Sequence, residues 1–198
     1  VFEQHREWKE AHAKPLADNI LPHINERNPG KRLRVGYISP DFRGHSCAYF
    51  IEPLVRGHDK NQVEIFCYAE VQKADPITAR IRQFSDHWYD IIGKSDAEVA
   101  EQVRRDQIDI LVDLTGHTAN NRLIVFAHKP APLQVSWLGY PDTTGLEAMD
   151  YRLTDSVADP EGMTDCHFTE SLVRLPHGFL CYSPLMAAPD VCELPFLK

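Results

Sequence analysis

Excess positive charge, paired cysteines, glycine-rich phosphate loops and long apolar runs are all missing from this 198-residue chain. Lysine and arginine number 21 against 29 aspartates and glutamates, giving a formal net charge of −8. That balance excludes non-specific nucleic-acid binding, which runs on basic side chains, while leaving room for a local basic pocket. No apolar run approaches the ~20 residues that a membrane helix needs, so no membrane partner is expected. The opening stretch VFEQHREWKE is charged and helix-like, unlike a signal peptide. The five cysteines (Cys47, Cys67, Cys166, Cys181 and Cys192) form an odd set without a C-x-x-C pair. A disulfide framework is therefore not expected, and a reducing cytoplasm is the simplest compartment. A structural zinc site lacks its paired ligand spacing. No G-x-G-x-x-G follows a strand-like run, and neither G-x-x-x-x-G-K-[ST] nor G-x-S-x-G occurs. No carboxylate pair stands out as a glycosidase couple.

What is present is an ordinary globular composition, 43% hydrophobic and 25% charged. The length suits one domain or one lobe of a larger enzyme. A start at Val1 and a stop at CELPFLK suggest a piece of a longer protein. Residues 1–24 place apolar side chains at Phe2, Trp8, Ala11, Leu16 and Ile20, an amphipathic helix interrupted near Pro15. NERNPGK (25–31) is a linker by composition. Then strand-like and helix-like runs alternate. RLRVGYIS (32–39), QVEIFCYAE (62–70), HWYDII (87–92), IDILVDL (108–114) and APLQVSWLG (131–139) read as strands. Between them lie helices at 46–59 (Ser46 as N-cap), 76–84 (Pro76 in its first turn), 95–106 and 120–129. Ser95 with Glu98 predicts a capping box. DYRLTD (150–155) and ESLVRLP (170–176) are further short strands. Alternation of this kind predicts an α/β, Rossmann-like lobe with a mostly parallel sheet and helices on both faces.

In such a sheet, ligands bind beyond the carboxyl ends of the strands, close to helix N-termini. Three turns have that address: SPDFRGHS (39–46), DLTGHT (113–118) and WLGYPDTTG (137–145). A lone loop histidine usually caps a helix or bonds a carbonyl. Two of them, His45 and His117, at equivalent topological positions tilt the reading toward function. Asp41 and Asp113 have the chemistry of general bases, yet holding loop amides is the better reading for both. Gly116 and Gly139 permit close approach of backbone to ligand, or simply a turn. His128, His167 and His177 read as surface or packing residues. The aromatic set Tyr37, Phe42, Tyr49, Phe50, Phe66 and Tyr68 reads as core. The residues alone thus indicate a cleft for a sugar or nucleotide on a Rossmann-like lobe.

The stretches RLRVGYISPDFRGHS, DKNQVEIFCYAE, IDILVDLTGHTANNRL, KPAPLQVSWLGYPDTTGLEAMDYRLTD, ADPEG and LVRLPHGFLCYSP occur in unbroken order from about residue 30 to about 184. Together they resemble the nucleotide-sugar:protein O-glycosyltransferases, the O-GlcNAc transferase family and its SPINDLY relatives. LTGHTANNRL and LVRLP…FLCYSP look closest to the SPINDLY side, which includes enzymes using GDP-fucose; the O-GlcNAc side uses UDP-N-acetylglucosamine. The resemblance implies the N-terminal half of a GT-B enzyme, with tetratricopeptide repeats upstream and a C-terminal lobe that carries most nucleotide contacts and an essential lysine. It divides the chain into a helical lead-in and linker (1–30), the lobe (31–184) and a linker toward the other lobe (185–198). It implies inverting transfer of a sugar, N-acetylglucosamine from UDP-N-acetylglucosamine, to Ser or Thr of proteins, without metal or cofactor, and an isolated chain that does not turn over. The alternatives are fucose from GDP-fucose, or a non-catalytic binding module on the same fold. His45 matches the active-site histidine, assigned to positioning with a base role left open. His117 and Thr118, with Leu138, Gly139, Tyr140 and Pro141, match turns that line the sugar pocket.

Overall fold

A computed structural model describes residues 1–17, 20–184 and positions 188, 192, 193 and 196. The expected linker at 185–198 therefore lies almost wholly outside the described residues.

Seven strands form one sheet in the order β3-β2-β1-β4-β5-β6-β7. They are β1 (Leu33–Ser39), β2 (Val63–Ala69), β3 (His87–Asp90), β4 (Ile110–Asp113), β5 (Leu133–Ser136), β6 (Tyr151–Thr154) and β7 (Ser171–Arg174). All six pairings are parallel. Successive side chains of a strand point to opposite faces, and the apolar residues sort accordingly. Ile38, Phe66, Tyr68 and Leu111 join a core beneath Val99, Val103, Leu123 and Phe126. Val35, Tyr37, Ile65, Cys67 and Val112 join a second core with Ala48, Ile51, Val55 and Ile81. Strands buried on both faces explain the near-continuous apolar runs in the sequence. The expected α/β lobe, with helices on both faces, is thus what the chain forms.

Helix starts follow local chemistry. α4 (Pro76–Phe84) and α5 (Asp96–Arg105) both carry capping boxes, Asp75 with Thr78 and Ser95 with Glu98. In α3 (Ala48–Gly57) the N-cap is Cys47 rather than Ser46, and no side chain caps it. Pro53 lies inside that helix and donates nothing to the preceding turn; the buried stripe Ala48, Ile51 and Val55 holds it in place. α6 (Leu123–Ala127) is shorter than the expected 120–129. Asn120 takes the left-handed conformation (φ 59°), and the Asn121 side chain accepts the Leu123 amide at 3.2 Å, which delays the helix start.

The lead-in is interrupted near Pro15 as expected, into α1 (Phe2–His12) and α2 (Lys14–Ala17). Pro15 has no N–H to give to the Ala11 carbonyl, and the break falls two residues before it, at Ala13. Ile20, expected on an apolar helical stripe, is 41% exposed and lies outside any helix or strand. Ala13 is buried in the first core, with Trp8 and Leu16 against it, so α1 and α2 pack onto the lobe.

Candidate functional site

In the order 3-2-1-4-5-6-7 the chain leaves β1 in one direction and returns through β4 in the other. The gap between the carboxyl ends of β1 and β4 is therefore the topological switch point, where open α/β sheets bind ligands. The turn bearing His45 follows β1, and the turn bearing His117 follows β4; Ile38 and Asp113 are register partners. The third turn follows β5, and the Trp137 amide donates to the Asp113 carbonyl at 2.9 Å. One edge of the sheet thus carries all three sequence-predicted turns side by side.

At the first turn, the His45 side chain is 36% exposed. Its Nδ1 accepts the Cys47 amide at 3.3 Å and lies 3.5 Å from Asp41 Oδ2. In the neutral ring that amide keeps the lone pair on Nδ1 and the proton on Nε2, so His45 presents a hydrogen-bond donor. A base at Nε2 requires the other tautomer, whose Nδ1 proton would face Asp41. Arg43 pairs with Asp41 Oδ1 at 3.3 Å. Cys47 is buried, and burial pushes its thiol up to about 11, so it stays protonated. Beside His45 opens a groove of about 470 Å³, bounded by Tyr49, Glu52, Arg56, Arg80 and Pro184. Glu52 and Arg80 close one wall as a bidentate pair, at 2.8 and 3.0 Å.

At the second turn, Asp113 ends β4 and is almost fully buried. Its carboxylate accepts the amides of Thr115 (3.1 Å) and Gly116 (2.7 Å). Burial pushes its pKa up to about 6, and those two amides hold it from rising further. Asp113 therefore shapes the turn. Much of the polar crowd that follows serves the fold too. Thr118 Oγ1 donates to the Thr115 carbonyl at 3.0 Å, and Asn121 donates to the Thr118 carbonyl at 2.8 Å. Arg122 reaches away to Glu70 (2.7 Å) and Asp96 (2.9 Å), tying the end of β2 to the start of α5. His117 is different. Its Nε2 lies 2.8 Å from the Thr144 carbonyl, which only accepts, so Nε2 carries the proton and Nδ1 the lone pair. Among the described residues no group donates to that lone pair.

The third turn packs tightly on the second. A Cβ on Gly139 would sit 2.1 Å from the Leu114 carbonyl oxygen, so only glycine fits. Gly116 (φ 57°) faces Tyr140, whose Cβ would lie 2.4 Å from an added methyl. Leu138 is left-handed (φ 76°), and Pro141 is exposed. The rings of His117 and Tyr140 meet edge to face at 5.9 Å. The turn rests on a buried network. Glu170 accepts the Thr143 hydroxyl (2.6 Å), the Thr144 amide (2.7 Å) and the Thr144 hydroxyl. Beneath it, Arg152 donates to the Asp142 carbonyl at 3.1 Å.

The structure thus joins His117, Thr118, Leu138, Gly139, Tyr140 and Pro141 in one pair of packed turns and sets His45 across the switch point from them. Sequence reasoning missed three contributors. Tyr49, counted as core, is 44% exposed and lines the groove. Glu170 supports the third turn from the position just before β7, with no signal in its own segment. His5, on α1, stacks on His117 with ring centroids 4.1 Å apart.

Comparison with known proteins gives a consistent picture. The family model described as glycosyl transferase family 41 matches residues 14–184. A probable UDP-N-acetylglucosamine–peptide N-acetylglucosaminyltransferase SPINDLY of Oryza sativa subsp. japonica is 46% identical over 98% of this chain. A UDP-N-acetylglucosamine–peptide N-acetylglucosaminyltransferase of Caenorhabditis elegans is 39% identical over 87% of it. Among solved structures, a mutant O-GlcNAc transferase of Thermobaculum terrenum superposes with a TM-score of 0.91 at 40% identity. That superposition covers 97% of this chain and 36% of the other. The chain spans 21% of the length of the rice protein and 15% of the nematode one.

Proposed function

The chain belongs to glycosyl transferase family 41, and on that premise we propose that it is the N-terminal Rossmann-like lobe of an inverting protein O-glycosyltransferase. The full-length enzyme moves N-acetylglucosamine from UDP-N-acetylglucosamine onto Ser or Thr of proteins, without metal or cofactor. A C-terminal lobe completes the cleft, and tetratricopeptide repeats precede the chain. The reading places the enzyme in the cytoplasm; among the described residues no helix is long and apolar enough to cross a membrane.

One observation carries the reading: two histidine-bearing turns flank the switch point, with His45 half-exposed beside an open groove. An inverting transfer needs the acceptor oxygen held in line behind the anomeric carbon, so positioning supplies much of the rate. The tautomer set by the Cys47 amide suits His45 to that task, as a donor to an oxygen of donor or acceptor. The unpaired Nδ1 of His117 suits a sugar hydroxyl, which would donate to it. Thr118 and the turn Leu138, Gly139, Tyr140 and Pro141 form the remaining wall of the sugar site. A buried sugar hydroxyl left unpaired would cost about 1–3 kcal/mol, which the unpaired Nδ1 of His117 would offset for one of them.

In the full-length enzyme His45→Ala should lower kcat by about 100-fold or more, the scale of a positioned proton or hydrogen-bond donor. Its melting temperature should stay near that of the wild type. A large loss of melting temperature with unchanged specific activity refutes the assignment. The second reading is fucose transfer from GDP-fucose; it rests on the resemblance of LTGHTANNRL and LVRLP…FLCYSP to the SPINDLY side of the family, and the other lobe mainly chooses the donor base.

A further inference from the structure

We propose that His5, on the lead-in helix α1, is a positioning residue of the sugar site, fixing the rings of His117 and Tyr140 from behind. The inference rests on the function proposed above and extends the site to a segment that the sequence assigns to a mere connection.

Helix α1 is held against the third turn at several independent points. The backbone of Gly145 approaches the His5 carbonyl so closely that a Cβ there would sit 2.7 Å from its oxygen. Lys9 pairs with Glu147 at 2.9 Å. Trp8 packs on the first core and meets the His117 ring edge to face at 4.9 Å. Against this anchored helix, His5 is only 9% exposed. Its ring lies nearly parallel to that of His117, at an interplanar angle of 7°. Its Nε2 is 3.1 Å from the Tyr140 hydroxyl. His117 is thereby confined from three directions: a stack from His5, an edge contact from Trp8, and the Nε2 bond to the Thr144 carbonyl. The carbonyl fixes which nitrogen carries the proton, and the stack fixes the plane in which the remaining lone pair lies. Tyr140 has His117 and His5 as edge-to-face ring neighbours, at 5.9 and 5.5 Å, and His5 is also its hydrogen-bond partner. A single α1 side chain therefore touches both sugar-facing rings, one on each packed turn.

A burial argument agrees. A histidine on a surface helix normally keeps its ring in water, whereas this one is taken out of it, and burial lowers its pKa. Neutral His5 stacks on His117 without charge repulsion, the state that the geometry requires.

The test uses the full-length enzyme, with transfer to a Ser/Thr protein acceptor as the assay and His45→Ala as the control for the function itself. A lost positioning contact costs up to about 100-fold in rate, so His5→Ala is expected to lower kcat/KM by about tenfold while the unfolding midpoint moves little. His5→Phe keeps the stacked ring and is expected to recover most of that loss. In a His117→Ala background, His5→Ala is expected to add nothing, because the group it positions is gone. Should His5→Ala unfold, His5→Gln carries the same prediction: it keeps a polar group near Tyr140 and loses the stack. An unchanged kcat/KM, or a loss that adds in full to that of His117→Ala, overturns the proposal while leaving the function intact. If the wild type transfers no sugar, the function fails first and His5 loses its role with it.

Discussion

Replacing Gly139 by alanine adds one methyl group at the tightest contact between two turns. The new Cβ would lie 2.1 Å from the Leu114 carbonyl oxygen and 2.9 Å from both the Leu114 carbonyl carbon and the Thr115 Cα. All three atoms are backbone, so no rotamer change relieves the clash; the 137–141 segment must move off the end of β4. Overpacking costs typically about 1–3 kcal/mol, and a collision with backbone belongs at the upper end, about 3 kcal/mol. For a chain of this size each kcal/mol moves the melting temperature by about 2–4 °C, so a fall of about 6–12 °C is expected. Gly93→Ala supplies the control. Gly93 has φ 76° and nothing within 4 Å, so its penalty is backbone strain alone, roughly 1–2 kcal/mol. Urea titrations of both variants measure the difference. If Gly139→Ala costs no more than Gly93→Ala, the second and third turns are not packed as described, and the sugar-site wall has been misread.

Other predictions follow from single contacts. Leu111→Ala removes a fully buried side chain from the first core and should cost about 2–5 kcal/mol in a denaturant titration; an untouched stability would refute the placement of β4. Arg122→Ala leaves Glu70, itself 10% exposed at its side chain, without its cation, and should cost about 3 kcal/mol although Arg122 lies in the segment that looks most functional. For His58, burial lowers the pKa, with Lys60 adding to it. The unfolded state then binds the extra proton first, so this contribution is fully present above pH 6.5 and lost as pH falls through the lowered folded value. His58→Gln should flatten the decline in urea midpoint between pH 7.5 and 5; an unaltered decline would contradict it.

How far the sequence can be read depends on the range of the interaction that sets each feature. Strands β1, β2 and β4 were visible because both-face burial leaves near-continuous apolar runs, and α5 because Ser95 and Glu98 are three residues apart. The three turns were visible because strand ends in an α/β sheet define an address. The shortened α6 was hidden because Asn120 and Asn121 decide its start through a positive φ and a side-chain bond. Tyr49 was legible in principle. It falls off the stripe formed by Ala48, Ile51 and Val55, and a count at helical period puts it on the open face. His5 was not legible. It sits on a charged helix, and only the fold brings it to a ring on a distant turn. Glu170 was hidden for the same reason, since Thr143 and Thr144 call for a buried acceptor without saying which segment provides it.

The most direct test of the central claim is a transfer assay on the full-length protein with a mixture of Ser/Thr-containing acceptors. UDP-N-acetylglucosamine, GDP-fucose and no donor are compared by mass spectrometry, with His45→Ala alongside. The account predicts N-acetylglucosamine on Ser or Thr from the uridine donor, abolished in the variant. Transfer from GDP-fucose instead would keep the site and change the sugar. No transfer from either donor, by a folded protein with its C-terminal lobe intact, would contradict the account.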